Sequence, residues 1–224
     1  LDLERRSHGL FDPGIGRLVA LWGFHTDDIH KAKPPPDPGL VADLVAKRPS
    51  MEDLIIDGDR VCSRNPAVKL DFGAVAKGLA GDLVLDRLRE LGIEHALINL
   101  GGGLSALGRH GERPWRVGIR HPQRAGVLGA VTLQSGEVVH TSSRRLSGST
   151  RSADAAATAL VVAGSRDWLE IARDLGIELA MVVDEQGTLY LTPGMLERVE
   201  FDQPPRKMEI KTLPGATPKG ASAH

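Results

Sequence analysis

Residues 71–108 read DFGAVAKGLAGDLVLDRLRELGIEHALINLGGGLSALG, and two structural periods follow one another inside them. From Asp71 to Glu90 the apolar residues Val75, Leu79, Leu83 (or Val84) and Leu88 recur every three to four positions, which predicts a helix. Gly92, just after Leu91, is a helix stop. Ala96–Leu100 then reads as a short buried strand that runs into Gly101-Gly102-Gly103.

Outward from this core the same two periods alternate without a regular strand–helix–strand rhythm. Upstream, MEDLIIDGDRVCS predicts a hairpin with strands at Leu54–Ile56 and Arg60–Ser63 around Asp57-Gly58. A helix is expected over 40–47, behind the rigid link KAKPPPDPG at 31–39. Downstream, Trp115–Arg120 and Gly129–Gln134 alternate like strands, and Arg151–Gly164 and Asp167–Leu175 read as helices. Glu178–Asp184 and Thr188–Thr192 form a hairpin around Gln186-Gly187, and from about Gln203 the Pro-, Lys- and Gly-rich end is expected to fray. The pattern is that of one α+β domain with mixed or antiparallel sheets over residues 1–202, followed by a tail over 203–224.

Composition removes several classes of function. With 28 Lys and Arg against 29 Asp and Glu in 224 residues, the net charge of −1 offers no general nucleic-acid surface. Cys62 is the only cysteine, so an internal disulfide and a Cys-rich zinc site are excluded. No apolar run reaches the ~18 residues of a spanning helix. The opening LDLERRSHGL lacks an initiator Met and reads as a trimmed or processed start.

Four segments could carry chemistry, and each also has a purely structural reading. SHGLFDPGIGRLVALWGF (7–24) is either a stiff aromatic surface or a core-packing lead-in. LDFGAVAKGLAGD (70–82) places Asp71 and Lys77 at a helix start, where free N–H groups and a lysine suit a phosphate; equally, Asp71 caps and Lys77 is solvated. It is no Walker A loop. INLGGGLSALG (98–108) lets backbone approach a ligand or simply ends a strand tightly; it fits neither the Rossmann glycine pattern nor the Gly-x-Ser-x-Gly elbow. In ADAAATAL (153–160), Asp154 and Thr158 share a helix face, as hard oxygen ligands of Mg²⁺ or Ca²⁺ or as a cap and a back-bonded threonine. The histidines show no metal-ligand spacing, and His140, beside Thr141-Ser142-Ser143, is the one candidate base.

Taken in order, SHGLFDP…LVALWGF, DFGAVAKG, NLGG and ADAAATALVVAG resemble the sequence blocks of the ApbE family, the FAD:protein FMN transferases, over roughly residues 5–192. The resemblance implies a T-fold-like α+β domain that takes FAD as substrate with Mg²⁺. It implies metal ligands at Asp154, Thr158 and the carbonyls of Ala74 and Ala157, with Asp154 and Lys77 as the catalytic pair. Trp22, Gly23 and Phe24 would line the flavin or adenine pocket. Asp71 and Lys77 would bind the nucleotide, and Gly101 and Gly102 would allow its close approach. The implied partner is a redox protein with a D-x-x-[ST]-G-A-[ST] segment. KTLPGAT at 211–217 imitates that segment, but Lys211 and Pro214 stand at its Asp and hydroxyl positions, so self-modification there is excluded. Family members are often exported to the outer face of the membrane, which is the place the resemblance suggests, with the cytoplasm as the alternative.

One block departs from the family pattern. A His followed by Asp-Pro-x-x-Gly is expected between the strand end at 140–143 and the ADA helix, yet RRLSGSTRS leads directly into Ala153. The expected cause is a mobile loop that the sequence skips; true absence would leave FAD binding with poor transfer. Two rivals to the transferase therefore stand beside it, a FAD pyrophosphatase and a flavin carrier.

Overall fold

The computed structural model describes residues 1–24, 34–122, 125–141, 144–147 and 150–214. In chain order the elements are α1 (Asp2–Arg6), α2 (Gly16–Leu21), α3 (Pro38–Ala46), β1 (Leu54–Asp57), β2 (Arg60–Ser63), α4 (Gly73–Glu90), β3 (Ala96–Leu100), β4 (Gly103–Leu107), β5 (Trp115–Arg120) and β6 (Val127–Leu133). They continue with β7 (Val138–Thr141), β8 (Arg144–Ser147), α5 (Thr150–Asp174), β9 (Leu179–Val183), β10 (Leu189–Leu191), α6 (Pro193–Arg198), β11 (Val199–Phe201) and β12 (Met208–Ile210). The α+β class and the single mixed domain hold.

Three layers place the site. A seven-stranded sheet, in the order β12-β10-β9-β8-β7-β4-β3, is packed on one face by a three-stranded sheet, β11-β6-β5, and on the other by helices. Alternation along β9 makes both layers at once: Met181 enters the core between the sheets, while Ala180 and Val182 join the helical core. That second core is built mainly by α5, with Ala155, Ala156, Ala159, Leu160, Trp168 and Ile171, and it takes in Phe11. The hairpin β1–β2 stands apart as its own two-stranded sheet.

Several predicted elements shift. β3 is the edge of the large sheet and only half-buried, not the buried strand that its apolar run suggested. On α4 the residues turned inward are Gly78, Gly81 and Leu85, whereas Leu79, Leu83 and Val84 are exposed. The helix lies so close along α5 that glycines form its contact face. The two helices predicted on either side of Gly164 are joined into α5 across a break at that residue, with φ 64° and ψ −169°. The tail is ordered further than expected, since Met208–Ile210 pairs in parallel with β10. Residues 215–217 of the KTLPGAT segment lie outside the described residues.

Residues 142–143 and 148–149, where the departure from the family pattern falls, lie outside the described residues. β7 and β8 are antiparallel neighbours with Thr141 opposite Arg144. No helix among the described residues is long and apolar enough to cross a membrane.

Candidate functional site

Asp154 lies in the N-terminal part of α5 and is 4% exposed. The glycine face of α4 lets that helix come close enough for the Gly78 N–H to donate to Asp154 Oδ2 at 3.3 Å. Lys77 Nζ stands 3.5 Å from the same oxygen and also donates to the Gly73 carbonyl. On the other side, Nδ1 of His140, from β7, is 3.4 Å from Asp154 Oδ1. Burial pushes the Asp154 carboxyl up, but His140, Lys77 and the Gly78 amide together hold it below its ordinary range.

Glycines shape the space around these groups. Gly101 and Gly102 take φ of 57° and 97°, a region that L side chains avoid. A Cβ at Gly101 would also stand 3.2 Å from Cδ of Lys77. Gly103 is directly opposite His140 in the β4–β7 ladder, and a Cβ there would overlap the imidazole ring.

The first sequence block is tied to the second by backbone. Asp71 N–H donates to the Pro13 carbonyl at 2.8 Å, Lys69 N–H to Gly14 at 3.0 Å and Gly16 N–H to Lys69 at 2.7 Å. Phe11 of the first block packs in the core of the ADA helix. Backbone pairing and side-chain contacts thus link all four blocks, directly or in sequence, to the surroundings of Asp154.

The remaining predicted residues divide. Thr158 follows Asp154 by one helical turn, half-buried, with its hydroxyl 3.5 Å from the Asp154 carbonyl, too long to occupy it firmly. Ala157 is buried on α5, and Ala74 sits half-buried in the first turn of α4. Carboxylate, hydroxyl and carbonyl oxygens are the donor set that a hard divalent cation takes, so these residues fit one. Asp71 Oδ1 accepts from the Gly73 N–H at 2.8 Å and so shapes the start of α4. Trp22 and Phe24 are exposed after α2 and lie parallel, 6.4 Å between ring centres and 3° between planes, with Gly23 between them at φ 80°. A cleft of about 1160 Å³ opens between β3, β4, β5 and α5; of the predicted residues it includes Gly102 alone.

Gly103 and Gly78 were not among the predicted site residues, and His140 stood only as a candidate base. The third glycine in succession and the Gly78–Gly81 spacing were the available signals. Neither reveals what lies opposite until the strands and helices are paired.

Residues 1–147 match the family model described as "ApbE family". A curated relative from Rhodobacter capsulatus, named FAD:protein FMN transferase, is 42% identical over 234 residues, covering 89% of this chain and 44% of its own length. That aligned stretch exceeds the 224 residues of the chain, so the relative carries residues without a counterpart here. One from Klebsiella pneumoniae (strain 342), with the same name, is 36% identical over 136 residues, covering 58% of this chain and 39% of its own. The chain spans less than half the length of these relatives. Among solved structures, the apo form of the Pseudomonas stutzeri flavinyl transferase ApbE superposes with a TM-score of 0.72 at 30% identity, covering 88% of this chain and 71% of that one.

Proposed function

The chain belongs to the ApbE family, and from that premise we propose that it transfers FMN from FAD to a threonine or serine hydroxyl of an acceptor redox protein, releasing AMP. The convergence on Asp154 carries this reading. A buried carboxylate held ionised, a lysine at its edge and glycines that admit close approach are what transfer at a pyrophosphate requires.

Lys77 would pair with the FAD pyrophosphate, and Gly101 and Gly102 would bring backbone against the nucleotide. Trp22 and Phe24 offer the flavin or adenine ring a stacking surface. Asp154, Thr158 and the carbonyls of Ala74 and Ala157 would hold the divalent cation, Mg²⁺ in the simplest case, which neutralises phosphate charge when bound. The acceptor oxygen forms its bond to the FMN phosphorus as the P–O bond to AMP breaks, and the hydroxyl proton is released.

A second reading has its own observation. The sequence RRLSGSTRS leads straight into Ala153 without the His-x-x-Asp-Pro block, and this supports a protein that binds FAD, or hydrolyses it to FMN and AMP, over an efficient transferase.

Incubation with FAD, Mg²⁺ and a domain carrying D-x-x-T-G-A-T, followed by mass spectrometry and AMP assay, separates these readings. An FMN mass shift on the acceptor that is lost in Asp154→Ala is the expected result. Free FMN and AMP without a shift mean hydrolysis, binding without products means a carrier, and no FAD binding overturns the reading altogether.

A further inference from the structure

β5 is an edge strand. It pairs with β6 on one side, and the order β11-β6-β5 leaves its other side without a strand among the described residues. That open side faces the cleft of about 1160 Å³, which Arg116, Val117, Gly118 and Arg120 all line. Successive strand residues point to opposite faces of a sheet, so a wall built from the neighbours 116, 117 and 118 presents the backbone edge itself. Such an edge is a row of unpaired N–H and C=O groups, a template for one more strand.

Two observations choose the occupant. The cleft reaches Gly102, and the adjacent Gly101 lies beside the stem of Lys77, so a segment in the cleft runs up to the Asp154 site. The outward face of β5 carries Arg116 and Arg120, whereas Val117 and Ile119 enter the core between the sheets. Arg116 meets Glu200 at 3.0 Å with side chains 63% and 66% exposed, a pair that solvent weakens. Arg120 is exposed and makes no ion pair among the described residues. Arginines on an open edge repel the same edge of a second copy and attract an acidic chain. Leu97 and Leu104, half-buried on the facing strands, give that chain an apolar side.

We propose that the acceptor protein's D-x-x-[ST]-G-A-[ST] segment docks as an added strand on the free edge of β5, with its Asp at Arg116 and Arg120 and its hydroxyl residue toward Gly102. The proposal rests on the transferase reading and names where the acceptor binds. The six residues of β5 span about 20 Å, and the seven of the segment span about 23 Å when extended. Backbone bonds supply affinity whatever the x residues are, and the arginines select the acidic start.

The probe is a fluorescent peptide containing D-x-x-T-G-A-T, titrated into the full FAD-loaded chain without divalent metal and read by anisotropy. N-methylation at one set of alternate residues should weaken binding at least about tenfold per lost pair of bonds, and methylation at the intervening set should do little. Arg116→Glu/Arg120→Glu should weaken the same peptide at least about tenfold, and replacing the peptide's Asp by Lys should restore binding to that variant. Equal losses at both methylated sets, or binding indifferent to the charge exchange, overturn the proposal, and FMN transfer by the wild type to an intact acceptor domain then leaves the transferase reading standing. A wild type that neither binds the peptide nor transfers FMN overturns both. The methylated peptides use the unaltered protein, so they decide the backbone pairing even where the double variant fails to fold.

Discussion

Gly103 and His140 occupy opposite positions on β4 and β7, and the ring of one fills the volume that a side chain on the other would need. Gly103→Ala is expected to displace the imidazole and destabilise the protein by about 1–3 kcal/mol, the usual range for overpacking. The double variant Gly103→Ala/His140→Ala should lose less than the sum of the two single changes. Denaturant melts of all four proteins measure the coupling, and strict additivity would mean that the two sites are independent.

Lys77 places a flexible cation at the edge of the Asp154 site, and its stem rests beside Gly101. Lys77→Ala should weaken FAD binding by roughly 10–100-fold, the value of a charge-assisted contact. Riboflavin, which has no phosphate, should lose far less. Equal losses in a fluorescence titration would assign Lys77 to the fold.

Asp154 also sets a pH dependence. Its carboxyl is held below the ordinary value of 3.8, so its stabilising share is present in full above that value and is lost as pH falls through the lower folded value. Denaturant midpoints between pH 7 and 3 should fall more steeply for the wild type than for Asp154→Asn. Parallel curves would show that His140 and Lys77 do not stabilise the ionised form.

Gly164 breaks α5 with a backbone that only glycine adopts readily, and no atom stands within 4 Å of where its Cβ would be. Gly164→Ala should therefore cost about 1–3 kcal/mol through backbone strain alone, lowering the Tm by several degrees. An unchanged Tm would mean that the helix straightens at no cost. That would re-aim Trp168, which is buried beyond the break.

The elements were legible because each carries a local signal: the Asp57-Gly58 and Gln186-Gly187 turns, the small-residue ADA helix, and the break at Gly164. What failed was direction. Val75, Leu79 and Leu83 keep a helical period, but the period does not say whether an apolar stripe meets the core or the outside. On α4 the stripe is largely exposed, since two helices in close approach need glycine between them. β12 is three residues in a proline- and lysine-rich tail, and it exists because β10 offers it an edge. The blocks around Asp154 were legible, and what is packed against it was not. Asp154 and Lys77 stand in recognisable motifs, whereas His140 acquires its importance only when β7 is laid against β4 and α5.

The joint between β7 and β8 has a consequence for how such a protein changes over time. These strands are adjacent and antiparallel, so whatever spans them is closed by the sheet at both ends. Closing a longer span costs only about 0.6 kcal/mol for each doubling of its length. A longer span between Thr141 and Arg144 is compatible with the same β7–β8 pairing. The length of the span and the register of the sheet are thereby separate quantities at this joint: the pairing sets the second and leaves the first open.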